Sequence, residues 1–248
     1  MKKIKNIKTF FNKKNLKYNN FKYFLDYIKY KKLGGNITHF HPMLNDSLDQ
    51  AGISKGHYFH QDLLVASYIY KANPKTHIDI GSRIDGFVAH VASFRKIQII
   101  DIRNLNKIGH ENISFIKLDL TKNFNSSLLS DSVSCLHAIE HFGLGRYGDT
   151  IDPVGYIKGF NNILKIIKKN GILYISFPIS KNNEIHFNSQ RVFNPNEIFN
   201  WVSKENNILL KNFDYVDSRG DLHLNTKISD IENIKEYGCG IYTFIKIC

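Results

Sequence analysis

HIDIGSRIDGF, residues 77–87, begins as an apolar run and closes on an acid and a glycine. That is the pattern of a strand opening into a ligand-binding loop. Glycine lets backbone approach a bound group closely, and a helix that follows offers unpaired amides. A pyrophosphate-binding G-x-G-x-x-G loop requires a second glycine where this chain has Arg83, although Gly81 and Gly86 keep the first and third positions. The stretch therefore reads as a cofactor loop poorly suited to a dinucleotide.

Outward from it, strands are expected at 76–80, 97–101, 113–118, 132–137 and 172–177, with apolar-periodic helices between them. A helix over 84–95 would bury Phe87, Val88, Val91 and Phe94. Upstream, Phe59, Leu63, Leu64, Ala66 and Tyr70 predict a helix from His57 to Ala72, ended by Asn73-Pro74. Asp152-Pro153 is expected to cap a helix that stops at Gly171 and buries Ile157, Phe160, Leu164 and Ile167. Asn194-Pro195-Asn196-Glu197 reads as the cap of a helix carrying Ile198, Phe199 and Trp201. The last strands fall at 208–216 and 241–247. Short apolar strands separated by helices predict an α/β fold, a mainly parallel sheet covered on both faces.

Composition narrows the function classes. The formal charge is +12, but residues 1–32 hold eleven lysines against Asp26 and contribute +10 of it. The body is nearly neutral, whereas a groove-binding nucleic-acid protein carries its positive face on the folded domain. No nucleic-acid partner is expected. The reading is a basic, helical N-terminal extension over 1–56 and a single domain over 57–248. Residues 1–32 are candidates for peripheral contact with an anionic membrane surface. No apolar run reaches the ~18 residues of a membrane span, and the basic start lacks the apolar core of a signal peptide. Cys135, Cys239 and Cys248 show neither metal spacing nor a C-x-x-C pair, which favours a reducing, cytoplasmic setting. The oligomeric state is not legible, and no metal is assigned.

Ligands of open parallel sheets bind beyond the carboxyl ends of the strands. The residues there are Asp79 to Gly86, Asp101, Asp119 and His137 to His141. Asp101 follows Asp79 by 22 residues, close to the spacing at which an acid accepts ribose hydroxyls. Asp119 ends the third strand, where its carboxylate suits an adenine amino group. His137-Ala-Ile-Glu140-His141 matches the H-x-x-E-H zinc motif, but His137 ends a strand, so the two imidazoles are expected to diverge. His141 is instead the candidate general base, with Glu140 beside it. Gly143-Leu-Gly-Arg-Tyr-Gly-Asp149 reads as a substrate wall or lid that supplies Arg146 and Asp149. His57 and His60 share a helix face at i, i+3, and His186 follows the fifth strand; all three are candidate substrate residues. A nicotinamide-dependent sugar enzyme is a further alternative, opposed by Arg83.

These motifs together resemble class I S-adenosylmethionine-dependent methyltransferases: D-I-G at the first strand, an acid ending the second, D-L at the third and H-A-I-E-H at the fourth. GHYFHQDLLVA, DIGSRIDGFVAH, LHAIEHFGLGRYGD and FNPNEIF resemble more closely an uncharacterised bacterial family, domain of unknown function 268, over about residues 50–205. The resemblance implies a Rossmann-like, doubly wound sheet with a C-terminal antiparallel strand. It implies S-adenosylmethionine over Gly81, its ribose on Asp101 and its adenine near Asp119 and Leu120. Asp79, Ser82, Arg83 and His137 complete the expected cofactor set. Arg83 departs from the family's usual glycine. Its candidate roles are to pair with the cofactor carboxylate, to pair with Asp85, or to exclude the cofactor. The expected function is methyl transfer to a small polar acceptor, a hydroxyl of a sugar or nucleotide-sugar in surface-glycan biosynthesis. The alternative is a non-catalytic Rossmann-like scaffold that docks through its basic tail to membrane or a glycan-assembly partner.

Overall fold

In the computed structural model all four residues of the strand His77–Ile80 (β1) are buried, as a central strand covered on both faces must be. The structure describes residues 20–106, 108–122, 127–202, 208–231 and 236–247. The basic segment expected to touch membrane lies largely outside the described residues, which begin at residue 20. By internal contacts the chain forms two units, Met1–Ile53 and Ser54–Cys248. In the first, residues 20–32 are helical (α1), and Tyr27 packs its ring on Phe40 at 5.5 Å.

The second unit holds the sheet. After α2 (His57–Ala72) and β1 come α3 (Ala89–Ala92), β2 (Ile97–Asp101), β3 (Ile113–Lys117) and β4 (Ser130–Leu136). Then follow α4 (Gly155–Ile166), β5 (Ile167–Ile179), the hairpin β6 (Glu184–His186) and β7 (Gln190–Val192), and α5 (Ile198–Trp201). The described chain closes with β8 (Ile208–Val216), β9 (Leu222–His223), α6 (Ile228–Ile231) and β10 (Gly238–Lys246). The main sheet runs β3-β2-β1-β4-β5-β10-β8-β9. The first five strands are mutually parallel, and β10 is inserted antiparallel between β5 and β8. The fold is thus α/β and Rossmann-like, with a C-terminal antiparallel strand. Strand order reverses between β1 and β4, so a crevice must open beyond their carboxyl ends.

Each face of the sheet has its own apolar cluster. Phe160, Ile163, Phe177, Trp201 and Tyr242 fill the side of α4 and α5; Val65, Ile69, Phe87, Val91 and Ile241 fill the side of α2 and α3.

Three local expectations are corrected. The buried face of α2 is Gln61, Asp62, Val65, Ala66 and Ile69, while Phe59, Leu63 and Tyr70 are exposed. Periodicity missed this because two of the inward positions are polar. The segment 84–95 is not one helix. Ile84–Val88 is a widened turn broken at Gly86, where a Cβ would stand 2.9 Å from the Asp62 carboxylate, and regular helix begins only at Ala89. The first amides past β1 are therefore not a helix N-terminus. Finally, α4 starts at Gly155 without an aspartate cap and ends at Ile166, so Gly171 lies inside β5. Asp152 accepts from the Val154 amide and pairs with Lys158 instead.

Candidate active site

The crevice at the switch point is a narrow cleft. Gly81, Asp101, Asp119, Leu120, His137, His141 and Asp149 line it together with Arg103 and Tyr147. The ends of β1, β2 and β4 and the segment after β3 thus bring seven of the sequence-selected residues to one place. Asp79, Ser82, Arg83, Glu140, His57, His60, Arg146 and His186 are not on its wall.

Gly81 sits at φ 73°, the left-handed region that favours glycine, and an added Cβ would stand 2.9 Å from the Ala138 Cβ. The loop holds this shape through Asp79, which is fully buried behind it. Its carboxylate accepts from the Ser82 amide (3.0 Å), the Ser82 hydroxyl (2.8 Å) and the Ser134 hydroxyl (2.6 Å). Burial pushes the Asp79 carboxyl up to about 6, against those donors. Asp79 and Ser82 thus brace the loop from behind.

Arg83 takes the second of its three candidate roles in this structure. It forms a two-point pair with Asp85, at 3.0 and 2.7 Å, and its side chain is 68% exposed. The arginine that reaches the cleft is Arg103. It donates through Nε and Nη2 to both Asp101 carboxylate oxygens, at 3.0 and 2.6 Å, and its guanidinium lies 4.5 Å from the Tyr147 ring centre.

Asp119 Oδ1 accepts from the Thr121 amide and hydroxyl. Among the described residues its Oδ2 is buried without a hydrogen-bond partner, with Lys122 Nζ paired to it at 3.6 Å. A buried acceptor left open in this way is costly unless something donates to it. Leu120 is buried beside it.

On the far side, His137 sits at φ 49° and a short turn, Ile139–His141, folds back after it. As a result both histidines of HAIEH flank one carboxylate instead of diverging. Glu140 Oε1 is 2.9 Å from His137 Nδ1 and 3.8 Å from His141 Nε2. Glu140 is wholly buried, and among the described residues its Oε2 has no hydrogen-bond partner. His141 Nδ1 is 2.7 Å from the Ser189 carbonyl, which fixes the proton on Nδ1 and leaves Nε2 as the acceptor. Burial holds the His141 pKa below its ordinary value. For His137 burial acts in the same direction, yet Cys239 and Glu140 hold it well above.

Arg146 donates to the same Ser189 carbonyl, at 2.8 Å, so the β6–β7 turn is tied to the wall. Asp149 accepts from the amides of Gly143, Gly145 and Tyr147 and shapes the glycine loop. His57 stacks on His137, at 5.4 Å and 15°, and burial pushes it down to about 4. His60 packs edge-on against Phe59, and His186 is paired with Glu184 on the exposed hairpin.

Sequence reasoning missed Arg103, although its place two residues past Asp101 was a signal. It also passed over Tyr147, inside the glycine loop it had selected, and Cys239, for which no local signal exists. Arg191 is a positioning residue. Buried on β7, it donates to the Phe142 carbonyl (2.6 Å) and the Glu140 carbonyl (3.3 Å) and so pins the 139–142 turn.

The family model described as Caenorhabditis protein of unknown function, DUF268, matches residues 88–218, just over half of the chain. That description corrects the bacterial attribution expected from sequence. No curated protein matches. Among solved structures, one similar chain is the Burkholderia thailandensis 1,6-didemethyltoxoflavin-N1-methyltransferase with bound 1,6-didemethyltoxoflavin and S-adenosylhomocysteine. It has 12% identity and TM-score 0.55, over 76% of this chain and 79% of that one. A Clostridium acetobutylicum S-adenosylmethionine-dependent methyltransferase has 12% identity and TM-score 0.50, over 82% and 96%. The [4+2]-cyclase SpnF has 13% identity and TM-score 0.53, over 87% and 89%. At such identities these likenesses establish the fold, which hosts more than one chemistry.

Proposed function

Since the chain belongs to the family described as Caenorhabditis protein of unknown function, DUF268, and folds like known methyltransferases, we propose that it is an S-adenosylmethionine-dependent methyltransferase. One observation carries the reading: Asp101 and Asp119, whose Oδ2 accepts no hydrogen bond from the described residues, stand at successive strand ends of a single cleft, beside a left-handed Gly81. A diol acceptor, an amino-group acceptor and a close backbone approach are what an adenosine moiety needs.

Bound S-adenosylmethionine would supply an electrophilic methyl group on a sulfonium. This chain's residues would do the rest. Gly81 gives the methionine portion room, Asp101 accepts the ribose hydroxyls, and Asp119 Oδ2 with Leu120 receives the adenine. His141 Nε2 takes the proton of the attacking acceptor, with its tautomer set by Ser189. Glu140 orients His137. Alignment of acceptor and donor supplies most of the acceleration.

The acceptor we propose is small and polar, a hydroxyl of a sugar or nucleotide-sugar. Support comes from the polar side chains of Arg103, Tyr147, Asp149 and His141 on an otherwise largely apolar wall, with Arg146 packed on Tyr147. The scaffold alternative rested on Arg83, whose surface pair with Asp85 leaves the cleft clear. The test is transfer of radiolabelled methyl from S-adenosylmethionine to a panel of sugars and nucleotide-sugars, with His141→Ala in parallel. Label on an acceptor, lost in the variant, supports the reading. Label on none of the panel, with the donor bound, would remove the sugar assignment.

A further inference from the structure

Behind the cleft wall three side chains meet that no step above uses in common. His57 is the first residue of α2, His137 directly follows β4, and Cys239 is the second residue of β10. One donor atom from each lies within 4.8 Å of the others. We propose that His57, His137 and Cys239 bind one divalent ion of the zinc class.

The chemistry of the donors selects the ion. A thiolate with two imidazoles is a borderline-soft set that suits Zn²⁺ and disfavours Mg²⁺ or Ca²⁺. Three protein donors leave a fourth position for water or an acceptor oxygen. The arrangement is built rather than incidental. The His137 side chain is 5% exposed; its Nδ1 is engaged by Glu140 Oε1 at 2.9 Å, and its Nε2 is buried and, among the described residues, has no partner besides the Cys239 thiol proposed as its co-ligand. A carboxylate on one ring nitrogen is the usual support of a histidine that ligates a metal through the other. Cys239 is fully buried and free, with the Gln61 Oε1 at 3.9 Å from its sulfur. His57 is held flat between His137 and Tyr237, with Tyr237 at 5.3 Å and 22°.

Ion binding here does not depend on the methyl-transfer reading. The experiment is titration of the purified full chain with Co²⁺ alone, read by absorbance, followed by Zn²⁺ competition. The expected result is one Co²⁺ per chain, a near-ultraviolet thiolate-to-cobalt band and visible bands of four-coordinate cobalt, all displaced by Zn²⁺. Cys239→Ser should abolish the thiolate band, and His57→Gln, which removes a direct ligand, should weaken Co²⁺ binding by more than the roughly 10- to 100-fold that loss of an outer-shell partner costs. Cys248→Ser should change neither, and circular dichroism should show each variant folded. Absence of a thiolate band in the wild type would overturn the site. So would a band that persists in Cys239→Ser or disappears in Cys248→Ser.

Discussion

Arg103 Nη2 lies 2.6 Å from Asp101 Oδ2, and Nε lies 3.0 Å from Oδ1, so one arginine holds both oxygens of the carboxylate that ends β2. The same guanidinium rests on Tyr147 across the cleft mouth. On the proposed reading, ribose hydroxyls and Arg103 share or contest one acceptor.

Asp101→Ala is therefore expected to weaken S-adenosylhomocysteine binding by about 1.5–3 kcal/mol, the worth of hydrogen bonds to a charged group. Arg103→Met should act the other way. Its side chain is 48% exposed, and such pairs contribute about 0.2–1 kcal/mol, so affinity should rise by up to roughly fivefold. Calorimetry on both variants checks the signs. Weaker binding in Arg103→Met would make the arginine a ligand contact instead of a competitor.

Asp119→Asn keeps an oxygen for Thr121 and puts an amide donor where Oδ2 now stands. Adenine affinity should fall by about 1–3 kcal/mol, because two donors would then face each other. The analogue S-inosylhomocysteine, which offers a carbonyl there, should lose less. Equal losses for both ligands would show that Asp119 shapes the loop without reading the base.

His141→Ala should lower turnover by roughly 10²- to 10⁴-fold and leave S-adenosylhomocysteine affinity nearly unchanged. The wild-type rate should fall only when acid protonates His141. Since burial lowers its pKa, that limb lies below the ordinary histidine value of 6.5. An acid limb unchanged in position in a still-active His141→Gln would assign the titration elsewhere.

His77 gives a stability signature apart from the site. It is fully buried between the Ser132 and Ser134 hydroxyls, and burial pushes it down to about 3. The unfolded chain therefore binds a proton that the folded one refuses, and stability drains away as pH falls from about 6.5 toward 3. Asp79, raised to about 6, acts oppositely: its ionisation opposes folding as pH rises through that value. Urea unfolding of His77→Gln should show a shallower acid-side loss, smaller by a few kcal/mol near pH 4. Equal slopes in wild type and variant would contradict a buried neutral His77.

The sheet was legible because the cores of β1 to β5 are apolar runs, a pattern that burial on both faces imposes, although among the described residues helices separate only β1 from β2 and β4 from β5. The ends of those runs located Gly81, Asp101, Asp119 and His141 on one wall. What the sequence hid was contact across long separations. Nothing near Cys239 announces His57 or His137, since β10 reaches them by inserting beside β5. The inward face of α2 was misassigned because Gln61 and Asp62 are buried polar residues: Gln61 accepts from the Ser176 hydroxyl at 2.6 Å and donates to Asp62. Arg83 attracted attention by replacing a glycine, yet a partner two residues away, Asp85, draws it to the surface.

The most direct test of the central claim is calorimetric titration of the full chain with S-adenosylmethionine and S-adenosylhomocysteine, with NADH as the control. The account predicts that both adenosyl ligands bind at micromolar concentrations and that NADH does not. Binding of neither adenosyl ligand, or binding of NADH in their place, would contradict it.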